Sequence, residues 1–161
     1  MHPPLTLCVT GHRQLPARHW RTICTGLEKA IDQALQDGYT RFLCGFAEGA
    51  DLLCAQMLAQ RRASKPELEL EAVIPYRGRY ERLMASTDTR VLLEACTRVH
   101  VLSEVYAKHV FMARNQFMIA RSQRLIAVYD GRTSGGTAAT VGMAIRQNLE
   151  ICQILPQTDH N

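Results

Sequence analysis

Leu125-Ile126-Ala127-Val128-Tyr129-Asp130-Gly131-Arg132-Thr133-Ser134-Gly135-Gly136-Thr137 is the stretch on which the reading of the fold turns. An apolar run rich in β-formers passes directly into a glycine loop, and a helix-like pattern over Ala138 to Asn148 follows. Gly135 and Gly136 lack the Cβ that would block close backbone approach, and a helix starting after them aims free N–H groups and its positive dipole end at an anion. The segment therefore reads as a phosphate cradle in a strand–loop–helix unit. It matches neither G-x-G-x-x-G nor G-x-x-x-x-G-K-S/T, and two adjacent glycines after a strand also make an ordinary tight turn.

Outward from this unit the same alternation recurs. Short apolar runs bounded by turn residues lie at Leu5–Val9, Arg41–Cys44, Leu70–Ile74, Arg98–Leu102, Arg124–Tyr129 and Ile151–Leu155. Helical patterns separate them. Ala17 to Gln36 places Trp20, Ile23, Leu27, Ala30, Ile31, Ala34 and Leu35 on one side, with Gly38 as a C-terminal stop. Ala50 to Arg62 repeats the spacing with Leu53, Met57 and Leu58; Tyr80 to Cys96 reads as one helix or two short ones; His109 to Arg121 completes the set. Parallel neighbours need right-handed crossovers of a dozen residues or more, so strand–helix alternation predicts an α/β, Rossmann-like three-layer sandwich, a mostly parallel sheet with helices on both faces. The length of 161 residues fits a single domain spanning 1–161.

In such sheets ligands gather at the carboxyl edge of the strands, near the point where strand order reverses. The loops that follow the predicted strands there are Thr10-Gly11-His12-Arg13, Gly45-Phe46-Ala47-Glu48-Gly49-Ala50-Asp51, Pro75-Tyr76-Arg77, Ser103-Glu104 and the glycine loop. The opposite connections, Gln36-Asp37-Gly38 and Ala63-Ser64-Lys65-Pro66, are plain solvated turns. Each rim element has two readings. Gly11 either relieves a tight strand exit or admits a ligand beside Thr10 and Arg13. Gly45 and Gly49 either permit close strand–helix packing, with Asp51 meeting the helix dipole, or admit a nucleotide whose hydroxyls Glu48 or Asp51 would bind. Arg114 is either a surface arginine or a planar clamp for a phosphate. Phe111 and Phe117 read as core.

Composition narrows the classes. The formal net charge of +4 favours small anionic ligands and falls short of a nucleic-acid-binding stripe, so nucleic acid is not the expected partner. Six cysteines without a C-x-x-C pair, and no stretch of membrane-spanning length, suggest a reduced cytoplasmic protein with no membrane partner. The histidines at 12, 19, 100 and 109 make no metal signature, no Ser/His/Asp or Cys/His set has catalytic spacing, and neither metal nor cofactor is expected.

Thr10-Gly11-His12-Arg13, the Gly45-x-x-x-Gly49-x-Asp51 run, Arg114-Asn115-x-x-Met118, and Ala127-Val128-Tyr129-Asp130-Gly131 followed by Ser134-Gly135-Gly136-Thr137-x-x-Thr140-Val141 together resemble the YpsA-like family of the SLOG superfamily. That superfamily also holds DprA and the LOG-type enzymes. The resemblance runs from residue 6 to about residue 147. It implies a Rossmann-like fold that binds a nucleotide or nucleotide-derived ligand at the glycine loop, in ligand sensors or nucleotide-processing enzymes. Joined with the rim reading, it makes Thr10, Gly11, Arg13, Gly45, Gly49, Asp51, Arg114, Asp130, Ser134, Gly135, Gly136 and Thr137 the expected ligand-binding residues of a sensor or carrier. Relatives often dimerise, and apolar helix faces here would permit a homodimer. LOG-type phosphoribohydrolases pair an arginine with a glutamate just past a P-G-G-x-G-T loop. Arg114 resembles that arginine, but the glutamate's place falls on Thr140 or Gly142, depending on how the glycines are matched, and neither can transfer a proton as a carboxylate does. Glu48 and Asp51 are the remaining catalytic candidates for N-glycosidic hydrolysis or transfer, with Glu104 and Asp130 also on the rim. DprA-like nucleic-acid binding is a further alternative.

Overall fold

Strand–helix alternation resolves into one sheet. A computed structural model describes residues 3–155. Six strands, β1 (Leu5–Gly11), β2 (Tyr39–Cys44), β3 (Glu69–Ile74), β4 (Arg98–Val101), β5 (Arg124–Val128) and β6 (Glu150–Ile154), pair in the order β4-β3-β2-β1-β5-β6. Every pairing is parallel. The helices are α1 (Trp20–Gln36), preceded by a 3-10 turn at Ala17–His19, α2 (Ala50–Arg62), α3 (Arg77–Ala85), α4 (Thr87–Glu94), α5 (Val110–Ala120) and α6 (Gly136–Arg146).

Period-two alternation along the strands divides the core between the two faces of the sheet. Leu7, Val9, Phe42, Cys44, Leu70, Ala72, Ile74, Ile126 and Val128 point one way and pack against Ile23, Leu27 and Ile31 of α1, Cys54 and Leu58 of α2, Leu83 of α3 and Leu93 of α4. Cys8, Leu43, Val73, Leu125 and Ala127 point the other way, onto Met118 and Ile119 of α5 and Val141, Met143 and Ala144 of α6. This is the expected Rossmann-like three-layer arrangement.

Several details differ from expectation. Strand β1 runs on to Gly11, which pairs with Val128. The segment expected as one or two helices before β4 is two, because Ser86 is extended (φ −98, ψ 130) between α3 and α4. Helix α6 starts at Gly136, inside the glycine loop, rather than at Ala138. Trp20, expected on the buried side, is 50% exposed, since as the first residue of α1 it edges a groove with Leu52, Leu53, Val91 and Leu92 of α2 and α4. Among the described residues no helix is long and apolar enough to cross a membrane.

The chain lays down β1 to β4 in one direction across the sheet and then returns to place β5 on the other side of β1. The order of strands reverses there, and the loops leaving the ends of β1 and β5 diverge to opposite faces, leaving a crevice.

Candidate functional site

That crevice is a cavity of about 510 Å³. Thr10, Gly11, His12, Arg13 and Arg18 line it from β1 and the loop after it, Ala47 and Asp51 from the turn into α2, Phe111, Arg114 and Asn115 from α5, and Asp130, Arg132, Gly136 and Thr137 from the segment after β5.

Of the residues expected to bind a ligand, Thr10, Gly11, Arg13, Asp51, Arg114, Asp130, Gly136 and Thr137 meet around this one space. Gly45, Gly49, Ser134 and Gly135 do not line it. Gly45 and Gly49 take the packing reading. A Cβ on Gly45 would stand 2.6 Å from Arg114 Nη1 and 3.0 Å from Asp51 Oδ2. Gly49 caps α2 at φ +82, and a Cβ there would meet the His12 and Arg13 carbonyls at 2.5 and 2.4 Å, so it excludes side chains both by conformation and by space. Ser134 and Gly135 border a shallower depression between α5 and α6. Glu48 is exposed and outside the cavity, and Glu104 is engaged with Arg77 at 3.0 Å away from it. Among the rim acids Asp51 and Asp130 reach the space, and Asp130 is engaged by Arg132.

Arg114 is not a surface arginine. It is 5% exposed; Nη1 donates to the Gly45 carbonyl at 2.8 Å and Nε donates to Asn115 Oδ1 at 2.7 Å. Nη2 has no hydrogen-bond partner among the described residues. A guanidinium fixed by two bonds on one side and open on the other is poised to donate. Asp51 crowds the same face of Gly45, 4% exposed, with Oδ2 accepting from the Ala47 amide at 3.2 Å. Burial pushes its carboxyl up to about 6, the Arg114 charge working in the opposite direction.

Asp130 serves its own loop. Arg132 donates to it through Nη2 at 2.6 Å, Nε at 3.0 Å and its amide at 3.1 Å, and these bonds hold the carboxyl well below the usual carboxylate range. The Asp130 amide donates to His12 Nε2 at 3.3 Å, which ties the β1 loop to the β5 loop across the crevice. Burial, and then the Arg132 charge, lower the His12 pKa, in keeping with a ring nitrogen that accepts. Thr140, at the place of the LOG glutamate, is 1% exposed and donates to the Gly136 carbonyl at 2.9 Å, back into its own helix.

Phe111, Asn115, Arg18 and Arg132 are cavity residues that sequence reasoning did not name as binding. Phe111 was expected in the core, yet it is only half-buried and carries the Arg13 guanidinium 5.6 Å above its ring. A usable signal existed: Phe111 lies one helical turn before both Arg114 and Asn115, at i+3 and i+4. Around the space Arg13, Arg18, Arg114 and Arg132 face two carboxylates, one of them already engaged by Arg132, so the surplus charge is positive. Two adjacent backbone starts, Gly136 and Thr137 of α6, add N–H groups that no earlier helical turn can accept from.

An all-parallel sheet with helices on both faces and a polar cavity at the strand-order reversal defines a Rossmann-like α/β protein. Within that class, a model of the YspA SLOG family (YpsA) matches residues 7–155, and the chain belongs to that family. Among solved structures it is similar to DNA processing protein A from Helicobacter pylori, described for its single-stranded DNA binding mode, at a TM-score of 0.66 and 18% identity over 98% of this chain and 68% of that one. It is also similar to DNA processing protein A (DprA) from Streptococcus pneumoniae, at 0.64 and 18% over 92% of this chain, of which it spans about half (49%). TM1055 is similar at 0.55 and 14%, over 91% and 72%. At such identities the likeness is one of fold. No curated protein sequence matches the chain.

Proposed function

We propose that the cavity at the reversal point binds a phosphorylated nucleotide or nucleotide-derived small molecule, and that the protein works as a sensor or carrier of it. The observation that carries this reading is convergence: the start of α6 at Gly136 and Thr137 opens onto the same space as Arg13, Arg114 and Arg132. Helix N-terminal amides and guanidinium groups both suit phosphate oxygens. Beyond its chain neighbours and its own helix backbone, no atom of the described residues would lie within 4 Å of a Cβ at Gly136, which leaves the backbone there open to close approach. A cavity of about 510 Å³ lies in the range of small-ligand sites. Native mass spectrometry of freshly purified protein, followed by denaturation and identification of what is released, tests it. A co-purifying nucleotide supports the reading; an empty protein that also fails to bind AMP in calorimetry ends it.

Catalysis on the N-glycosidic bond is a second reading, resting on Asp51, since Arg132 holds the other cavity carboxylate, Asp130. A cavity carboxyl raised to about 6 can hold or release a proton near neutrality. Release of free base from nucleoside monophosphates, lost in Asp51→Asn with the fold intact, would establish it. Single-stranded nucleic acid is a third, because the likeness to a protein described as binding single-stranded DNA runs against the expectation that composition disfavours nucleic acid. A homodimer is carried as a proposal on the exposed Trp20 and Val91 beside one apolar groove; a monomer in sedimentation velocity at every concentration would remove it. A single domain over 1–161 and a cytoplasmic location are proposals on the same footing.

A further inference from the structure

Phe111 belongs to two assemblies. One side of its helix position lines the cavity, and its ring also joins an aromatic cluster beside the cavity mouth. Tyr76, in the turn between β3 and α3, lies edge-on to Phe111 at 6.2 Å and to Tyr106 at 5.4 Å, while Tyr106 and Phe111 stand 6.4 Å apart. The loop after β4 lifts Tyr106 to 61% exposure and its neighbour Val105 to 69%, an uncommon setting for a large ring. Arginines border this shelf at both ends. Among the described residues, Arg13 lies over Phe111 and makes no hydrogen bond or ion pair, and Arg82 lies 5.5 Å over Tyr76 and donates to its hydroxyl with no acid as partner.

We infer that this shelf is a second subsite, which stacks a second nucleobase while Arg13, between cavity and shelf, holds the phosphate that joins it to the nucleotide in the cavity. The inference rests on the nucleotide reading of the cavity and specifies its ligand: two nucleobases bridged through phosphate. Aromatic rings beside cationic side chains are the chemistry that holds unpaired bases and their backbone. Every base has a face to stack, so the shelf is tolerant of base identity. Its open, exposed form suits a chain that continues outward, whereas a closed slot would suit a compact molecule.

Titration calorimetry with AMP, the 5′-phosphorylated dinucleotide pApA, the hexamer p(A)6 and the pyrophosphate-linked AppA tests it on wild type, Tyr106→Ala and Tyr106→Trp. The expected result is that pApA binds wild type about tenfold more tightly than AMP, that Tyr106→Ala removes this advantage while leaving AMP unchanged, and that Tyr106→Trp restores it. A further gain for p(A)6 identifies a single strand as the source, and a preference for AppA over pApA identifies a free dinucleotide; both uphold the shelf. Equal affinity for AMP and every two-base ligand, or a dinucleotide advantage untouched in Tyr106→Ala, overturns the shelf and leaves the cavity standing. Failure of AMP and all two-base ligands to bind wild type overturns both.

Discussion

Asp51 and Arg114 are charged groups taken out of water beside Gly45, and no ion pair closer than 4 Å joins them. Burial sets the energetics of each. For Asp51 the folded pKa of about 6 stands above the ordinary 3.8, so the native state holds its proton more tightly than the unfolded chain. The unfolded state then binds fewer protons between those two values, and stability falls as pH rises through that window. The shift corresponds to about 3 kcal/mol, present in full below the lower value and gone above the upper one. Asp51→Asn carries no such titration. Urea unfolding of both proteins should therefore show the variant gaining up to about 3 kcal/mol on wild type between about pH 4 and about pH 7; a constant gap would mean that Asp51 is not buried in the folded protein. Arg114 belongs to ligand energetics. Arg114→Ala should weaken AMP by about 1.5–3 kcal/mol, the range for charged hydrogen bonds, and adenosine much less. Calorimetry with both compounds checks it, and equal weakening would take the guanidinium away from the phosphate. A sequence cannot display burial of this kind: Arg114 sits on a helix whose apolar pattern leaves it looking solvated, and the Gly45 carbonyl that seats it is 69 residues away.

Two glycines of the same motif class do different work at the level of strands and helices. Gly11 ends β1 under the first turn of α2, where a Cβ would stand 2.4 Å from the Ala50 Cβ and 2.9 Å from the Val128 Cβ. Neither neighbour is a flexible tip that can swing aside. Gly11→Ala should push β1, α2 and β5 apart and cost about 1–3 kcal/mol, read as a lowered midpoint in thermal unfolding. Gly136 begins α6 with no atom of the described residues, beyond its own helix backbone and chain neighbours, within 4 Å of the place a Cβ would take, so Gly136→Val should keep the melting temperature close to wild type while abolishing AMP binding in calorimetry. Unchanged stability in the first variant, or retained binding in the second, would reverse these roles. The elements themselves were legible: each predicted strand and helix lies within a few residues of an observed one, because period and punctuation are local properties. Their ends were not. Gly136 and Thr137 pass from loop to helix because α6 packs Thr140, Val141 and Ala144 against the sheet, and Ser86 breaks a run that residue preference would allow to continue.

At the scale of the molecule the cavity's field is the property to measure. Arg13, Arg18, Arg114 and Arg132 outnumber the two carboxylates they share it with, and all but Arg114 are exposed. AMP affinity should therefore fall as sodium chloride is raised, since exposed charges are screened over about 10 Å at 0.1 M salt. The salt dependence should flatten in Arg13→Gln, and an affinity indifferent to salt would show that the exposed arginines do not face the ligand. Patterns read between near neighbours along the chain were sufficient to place strands, helices and the polar loops between them, and parallel crossovers then put those loops on one rim. Which loops actually meet was decided by strand order: β5 lies beside β1, so residues 10–13 and 130–137 enclose one space, while Ser103 and Glu104 at the end of β4 are carried to the far edge. Likewise, the close approaches that crowd Gly45 and Gly49, and the place of Phe111 on the cavity wall, come from parts of the chain that folding brings alongside. Hydrogen bonding and periodicity act over a few residues, but burial and close approach depend on what the folded chain brings alongside, and no single segment carries that information.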